Sequence, residues 1–182
     1  MSRLTARVPA RRILGVHPGL ILAVLDIIGL GIASYLSIVE LGGGVPACGP
    51  LHGCETVATS EYSRIGGIPV AVYGVGLSLM LLSLALLWWR TDVYALLLGH
   101  YGLSLAGVLF EIYFLYLQVF VIGAVCVWCT SYGISLIARF VIALIVWLRQ
   151  PTPEGRAPDG YVPPDAGRRS EASESEEFGP AG

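Results

Sequence analysis

The stretch FVIGAVCVWCTSY, residues 120–132, places Cys126 and Cys129 two residues apart inside an apolar run. Thiols at this spacing can close a disulfide across one helical turn. A cysteine near a helix N-terminus also has its thiolate stabilised, which is the form that does redox chemistry. The rest of the chain must therefore explain what a Cys-x-x-Cys pair does in a greasy helix.

The chain of 182 residues is 55% hydrophobic and 13% charged, with mean hydropathy +0.72, far from the balance of a soluble domain. These values imply an integral membrane protein. The charges lie mostly at the ends, with Arg3, Arg7, Arg11 and Arg12 before the first apolar run and a polar tail from Gln150 onward. The run from Ile13 to Leu41 exceeds the ~7–15 residue core of a signal peptide and is interrupted by Asp26, so a retained first span is expected.

Four spans follow from the lengths. The first covers about 17–40 and ends at a glycine triplet; the second covers about 68–89, with Pro69 expected in its first turn and Trp88-Trp89-Arg90 as an interfacial anchor. Residues Val93–Leu148 would make a single helix ~84 Å long, against a hydrocarbon core of ~30 Å. They must form two spans, about 93–117 and 121–148, with the break at Leu117–Gly123 beside a belt of Tyr113, Tyr116 and Gln118. Residues 41–67 form a redox loop between spans 1 and 2, in which Glu55–Ser63 is expected to be a short helix lying on the membrane surface.

Residues 1–16 are expected to be a cytoplasmic arm, 17–149 a membrane catalytic domain, and 150–182, rich in Pro, Gly, Ser and Glu, a disordered cytoplasmic tail. The positive-inside tendency puts both termini in the cytoplasm, with Arg64 the single arginine among the outer segments. All four cysteines then fall on the outer side: Cys48 and Cys54 in the loop, and Cys126 and Cys129 one to two turns into span 4. That compartment tolerates disulfides.

Electrons pass between two such pairs when a thiolate attacks a disulfide sulfur. A loop pair can meet a soluble thiol, whereas a pair sunk in the membrane can meet a lipid-soluble acceptor, for which a quinone is the obvious candidate. Blander readings exist: Cys48 and Cys54 as a structural disulfide, Cys126 and Cys129 as small packing residues. A non-catalytic membrane scaffold would follow from them. Four cysteines arranged two and two on one face favour the relay.

Cys48 and Cys54, Ser60 six residues later, the IGGIP segment opening span 2 and the Cys126-Val-Trp-Cys129 motif together resemble bacterial homologues of vitamin K epoxide reductase, over about Ile21–Leu148. The order of the two pairs differs from that of DsbB-type quinone reductases, where the Cys-x-x-Cys comes first. The resemblance implies an all-α four-helix bundle enclosing a quinone, capped by a loop with a short horizontal helix. It implies that Cys129 reacts with the quinone, Cys126 is its disulfide partner, Cys54 reduces Cys126, and Cys48 exchanges with the partner protein. That partner would be a secreted or membrane-anchored thioredoxin-like, DsbA-type protein, and the acceptor menaquinone or ubiquinone in the cytoplasmic (inner) membrane. Some relatives carry a fused thioredoxin-like domain; here a separate partner is expected. Thiol-driven reduction of a vitamin K type quinone or its epoxide is the alternative within the family.

Quinone reduction takes two electrons and two protons, so Glu111, Tyr73 and Tyr113, at about the depth of the Cys-x-x-Cys, are candidate quinone contacts, with Ser60 added by the resemblance. Tyr132 resembles a tyrosine that animal members carry after the motif, and His52 is a candidate to stabilise a loop thiolate. Asp26, His100 and Arg139 lie eight or nine residues, or about 12–14 Å, from the other ends of their spans. Charges inside a membrane pair with one another, so an Asp26–Arg139 contact with His100 nearby is expected. Either structural pairing or a proton path would account for it.

Overall fold

The computed structural model describes residues 15–48 and 53–149. The arm before Gly15, the tail from Gln150 and His52 lie outside the described residues. Four helices are long and apolar enough to cross a bilayer: α1 (Pro18–Leu41), α3 (Val70–Thr91), α4 (Tyr94–Tyr116) and α5 (Val127–Arg149). The 24 residues of α1 reach ~36 Å, enough to span a hydrocarbon core of ~30 Å. Between α1 and α3 lies the short helix α2 (Gly53–Ala58). The protein is an all-α, multi-pass membrane bundle.

The helices close a ring. α1 packs on α3, α3 on α4, α4 on α5, and α5 back on α1. Leu22, Ala85, Trp88, Leu97 and Ala143 fill one end of the interior, while Ala33, Leu81, Val108 and Leu136 fill the middle. Trp88 is therefore a core residue, 2% exposed, and not part of the expected anchor; Trp89, beneath the guanidinium of Arg90, keeps that role.

Local chemistry sets the helix ends. His17 caps α1 by accepting the Gly19 N–H on Nδ1 at 3.0 Å, which leaves Nε2 as the donor to Asp92 Oδ1 at 3.0 Å. Asp92, in the left-handed region at φ 53°, closes α3 with its own N–H on Trp88 O. The start of the bundle is thereby tied to the α3–α4 turn.

The loop departs from expectation in two ways. Helix α2 stops at Ala58 because the Thr59 and Ser60 hydroxyls take the carbonyls of Glu55 and Val57, and only a 3-10 turn, Glu61–Ser63, continues it. Val57 is packed inward at 2% exposure. Pro69 is extended and precedes α3, because Arg64–Ile65 and Ile68–Pro69 (β1 and β2) form a two-residue antiparallel ladder.

The junction of spans 3 and 4 also differs. Helix α4 runs on as a π-helical turn, Leu117–Ile122, and the chain turns at Gly123, whose φ of 71° suits glycine. Helix α5 starts only at Val127. The Cys-x-x-Cys is thus at the mouth of the last helix and not one to two turns inside it.

Candidate functional site

Cys126 caps α5. Its carbonyl accepts from the Thr130 N–H (3.0 Å) and hydroxyl (2.9 Å), and its Sγ accepts the Cys129 N–H at 3.3 Å. A thiol here does the work that serine or aspartate usually does at a helix start, so its sulfur faces unpaired N–H groups that favour negative charge. The N–H of Cys126 is bonded to Oε1 of Gln118 at 2.8 Å.

Cys48 and Cys54 form a disulfide, while Cys126 and Cys129 are free thiols. Cys54 and Cys126 are buried in one apolar cluster with Val57, Phe114 and Leu117, and Cys48 and Cys129 pack against it. The approach is close. A Cβ on Gly53 would run into the Val125 carbonyl oxygen, so the backbone just before Cys54 lies directly on the backbone just before Cys126.

The segment carrying Cys48 is clamped as well. Ala47 donates its N–H to the Tyr35 hydroxyl at 3.3 Å and accepts the Trp128 indole N–H on its oxygen at 2.9 Å. The two rings pack at 4.7 Å. Trp128, lying between the two cysteines of the motif, therefore holds the residue next to Cys48.

Beneath this junction is a cavity of about 310 Å³, overwhelmingly apolar, lined by Cys54, Cys126 and Cys129 and by Glu40, Tyr73 and Glu111 among others. An apolar hollow of this volume with a few convergent polar groups suits a small ligand. Tyr73 and Phe110, on neighbouring α3 and α4, both line it and are 46% and 42% exposed, so it reaches the outer surface of the bundle between those helices.

The profile of the vitamin K epoxide reductase family matches residues 20–144, which takes in all four cysteines and more than half of the chain. The chain belongs to the vitamin K epoxide reductase family. Members of this family are membrane oxidoreductases linked to disulfide chemistry, are associated with quinones, and generally work with thioredoxin-like partners.

The vitamin K epoxide reductase relationship gives the sequence-derived candidates a frame, and the structure sorts them. Glu111 and Tyr73 line the cavity. The Glu111 carboxyl lies over Gly133, one turn beyond Cys129, where a Cβ would come within 2.6 Å of Oε1. The Tyr73 hydroxyl donates to Ile65 O at 3.2 Å, fixing the ring at the cavity's outer side.

Tyr113 does not reach the cavity; it is 56% exposed. Two helical steps of about 100° turn it some 200° away from Glu111. Ser60 is also elsewhere: it donates to Val57 O at 2.7 Å and borders a separate polar groove with Arg64 and Glu61. Tyr132, by contrast, is a cavity wall, its hydroxyl donating to Gly74 O at 3.1 Å and lying 3.2 Å from Ser78 Oγ.

Below Tyr132 sits the expected charge cluster. Arg139 Nη1 donates to Asp26 Oδ1 at 3.3 Å, His100 Nε2 lies 3.2 Å from Asp26 Oδ2, and all three side chains are buried. Arg139 also donates to Ser135 through Nε and Nη2, and its guanidinium lies 5.4 Å from the Tyr132 ring.

Sequence reasoning missed the roles of Gln118, Trp128, Tyr35 and Glu40. Gln118, expected in an interfacial belt, is fully buried. Trp128 carried a signal in its place between the two cysteines of the motif.

Proposed function

We propose that the protein is a quinone-dependent thiol–disulfide oxidoreductase that supports disulfide formation outside the cytoplasm. A thioredoxin-like dithiol reduces Cys48–Cys54 and leaves as a disulfide. Cys54 thiolate then attacks Cys126 of the Cys126–Cys129 disulfide, releasing Cys129. Cys48 thiolate attacks Cys54, restoring the loop disulfide and releasing Cys126. The resulting dithiol passes two electrons and two protons to menaquinone or ubiquinone, with Cys129 meeting the quinone, and becomes a disulfide again. In this cycle the state with Cys48–Cys54 closed and Cys126 and Cys129 free is the one about to reduce quinone.

The observation that carries this reading is the packing of Gly53–Cys54 on Val125–Cys126 above an apolar cavity that Cys54, Cys126 and Cys129 all line. A soluble donor and a lipid-soluble acceptor need such a meeting point. The arginine distribution supports an orientation with this end outside the cytoplasm and both termini inside. The gap between α3 and α4 is a route by which a quinone enters from the bilayer.

The test is quinone reduction by the purified protein in lipid nanodiscs, with a reduced thioredoxin-like protein as donor. Turnover is expected for the wild type and none for Cys129→Ser. Undiminished turnover in Cys129→Ser would falsify the relay through Cys129, and no turnover in the wild type would leave a scaffold with a structural disulfide.

A further inference from the structure

Glu40 borders two hollows at once. It lines the apolar cavity together with Cys126 and Cys129, and it also lines the polar groove of about 420 Å³ that runs past Gly43, Ser60 and Arg64. Ala33, Leu36 and Glu40 stand three and four residues apart on α1 and all line the cavity, so one helix face turns them inward. The groove is an aqueous space, since Thr59, Glu61 and Arg64 along it are exposed. Among the described residues Ala58 and Ser63 also line both hollows. Ala58 has no proton to exchange, and the Ser63 hydroxyl is committed to Ser60 O at 2.8 Å. Half-buried Glu40 is therefore the acid in the partition between outer water and the cavity.

Other approaches to the cavity offer no comparable group. The opposite end of the bundle is packed with Leu22, Ala85, Trp88, Leu97 and Ala143, which exchange no protons. Asp26 lies one helical turn from Leu22, so this packing stands between the Asp26–His100–Arg139 cluster and that face. The gap between α3 and α4 opens on lipid, which supplies none. The Glu40 carboxyl, by contrast, is near enough to Cys126 and Cys129 for its charge to act on both sulfurs.

Thiol–disulfide exchange moves electrons and leaves protons behind, because the attacking sulfur is a thiolate that has already given its proton to water. In the relay proposed above, Cys54 thiolate breaks the Cys126–Cys129 bond and the electron pair goes to Cys129. Cys48 thiolate then breaks the Cys54–Cys126 bond and the electron pair goes to Cys126. The pair thus arrives as two thiolates beside an apolar cavity, where charge is costly, and two protons short of the dithiol that reduces quinone. We infer, on the basis of that relay, that Glu40 is its proton-transfer residue, passing protons from the groove into the cavity for the Cys126 and Cys129 thiolates. Each proton given up by the carboxyl is replaced from groove water. Two passages complete the dithiol, and the quinol carries both protons away. The two protons released at the loop are the two taken up through the groove, so none crosses the membrane.

Glu40→Gln keeps the shape of the side chain and removes its acid. In nanodiscs with a reduced thioredoxin-like donor and a ubiquinone analogue, this variant is expected to turn over about a hundredfold more slowly than the wild type, as for loss of a positioned acid. Its first turnover should be normal when the protein is reduced with dithiothreitol and equilibrated beforehand, because Cys126 and Cys129 then already hold their protons. Glu40→Asp should keep most of the activity, and formate, a small acid that can enter from the groove, should restore part of it to Glu40→Gln. Wild-type turnover in Glu40→Gln would overturn the assignment while leaving the relay intact. Equal slowing of the pre-reduced first turnover, with no rescue by formate, would also overturn it and make Glu40 a wall residue. A measurement on the wild type stands whether or not Glu40→Gln folds. In proteoliposomes supplied with donor from outside, pH dyes on both sides should stay unchanged during turnover. Two protons appearing outside per quinol, with an alkaline lumen, would place proton entry at the opposite end and refute the route through the groove. If the wild type reduces no quinone, the relay fails, and the role of Glu40 with it.

Discussion

Trp128 donates its indole N–H to the main-chain oxygen of Ala47 over 2.9 Å, across 81 residues of sequence. The bond joins the helix that carries the Cys-x-x-Cys to the residue preceding Cys48. It also lies against Tyr35, whose hydroxyl accepts the N–H of the same Ala47. Trp128→Phe keeps the ring packing and removes the bond. Because a single such hydrogen bond contributes ~0.5–1.5 kcal/mol, electron transfer from the loop pair to Cys126 should slow by roughly two- to tenfold. Quinone reduction by protein whose Cys126 and Cys129 are already reduced should be unaffected. Stopped-flow measurement of the two half-reactions checks this, and equal slowing of both would assign Trp128 to the cavity instead.

Gly53→Ala should act more severely. The added Cβ has to displace Val125's carbonyl, which is backbone and cannot swing aside as a long side chain would. Either α2 lifts or the Gly123–Cys126 turn shifts, and Cys54 and Cys126 separate. Overpacking of this kind destabilises by ~1–3 kcal/mol. In a background carrying both Cys48→Ser and Cys129→Ser, an added mild oxidant should join the remaining Cys54 and Cys126 thiols as a disulfide when Gly53 is native, seen by non-reducing peptide mapping. Adding Gly53→Ala to that background should reduce its yield several-fold.

Much of this architecture can be read from the chain. Apolar run lengths fixed four spans because a bilayer accepts only helices of about twenty residues. The meeting of Asp26, His100 and Arg139 follows from equal depth and from the penalty on lone charges in lipid. What stayed hidden depended on rotation and not on length. Tyr113 shares Glu111's depth but faces outward, a matter of two residues on a helix. Gln118 reads as interfacial because polar residues cluster at membrane borders. Its burial depends on a π-helical turn that no apolar periodicity announces, and its partner is a main-chain N–H that leaves no trace in composition.

Glu111 lines the cavity, with its carboxyl resting over Gly133, which stands one turn along α5 from Cys129. Reduction of a quinone to a quinol needs two protons, and a carboxyl at the cavity wall can pass one from a thiol to a quinone oxygen. Glu111→Gln should therefore slow the quinone half-reaction by about a hundredfold, the lower end of what a positioned acid or base contributes, and leave partner oxidation unchanged. Gly133→Ala should give a weaker form of the same defect, since its Cβ pushes against the movable end of Glu111. Rapid-mix ultraviolet spectroscopy of quinone reduction resolves the two, and a normal quinone step in Glu111→Gln would remove the carboxyl from the reaction.

Asp26 and Arg139 are each fully buried and joined at 3.3 Å, with His100 on the second carboxylate oxygen. Gly29 makes room for the guanidinium, because a Cβ there would overlap Nη2. Removing one member strands the other's charge, so Asp26→Asn and Arg139→Gln should each destabilise by ~3–5 kcal/mol. The double variant strands no arginine or aspartate charge and should be less unstable than the two losses added, by ~1–3 kcal/mol. Gly29→Ala should weaken the protein as well, since it forces Arg139 off the carboxylate and also off the underside of Tyr132. Reversible unfolding in mixed micelles gives all four free energies. Strict additivity of the two single losses would mean that the observed contact carries no coupling energy, and the stability of this end of the bundle would then rest on the packing of Leu22, Ala85, Trp88 and Ala143 alone.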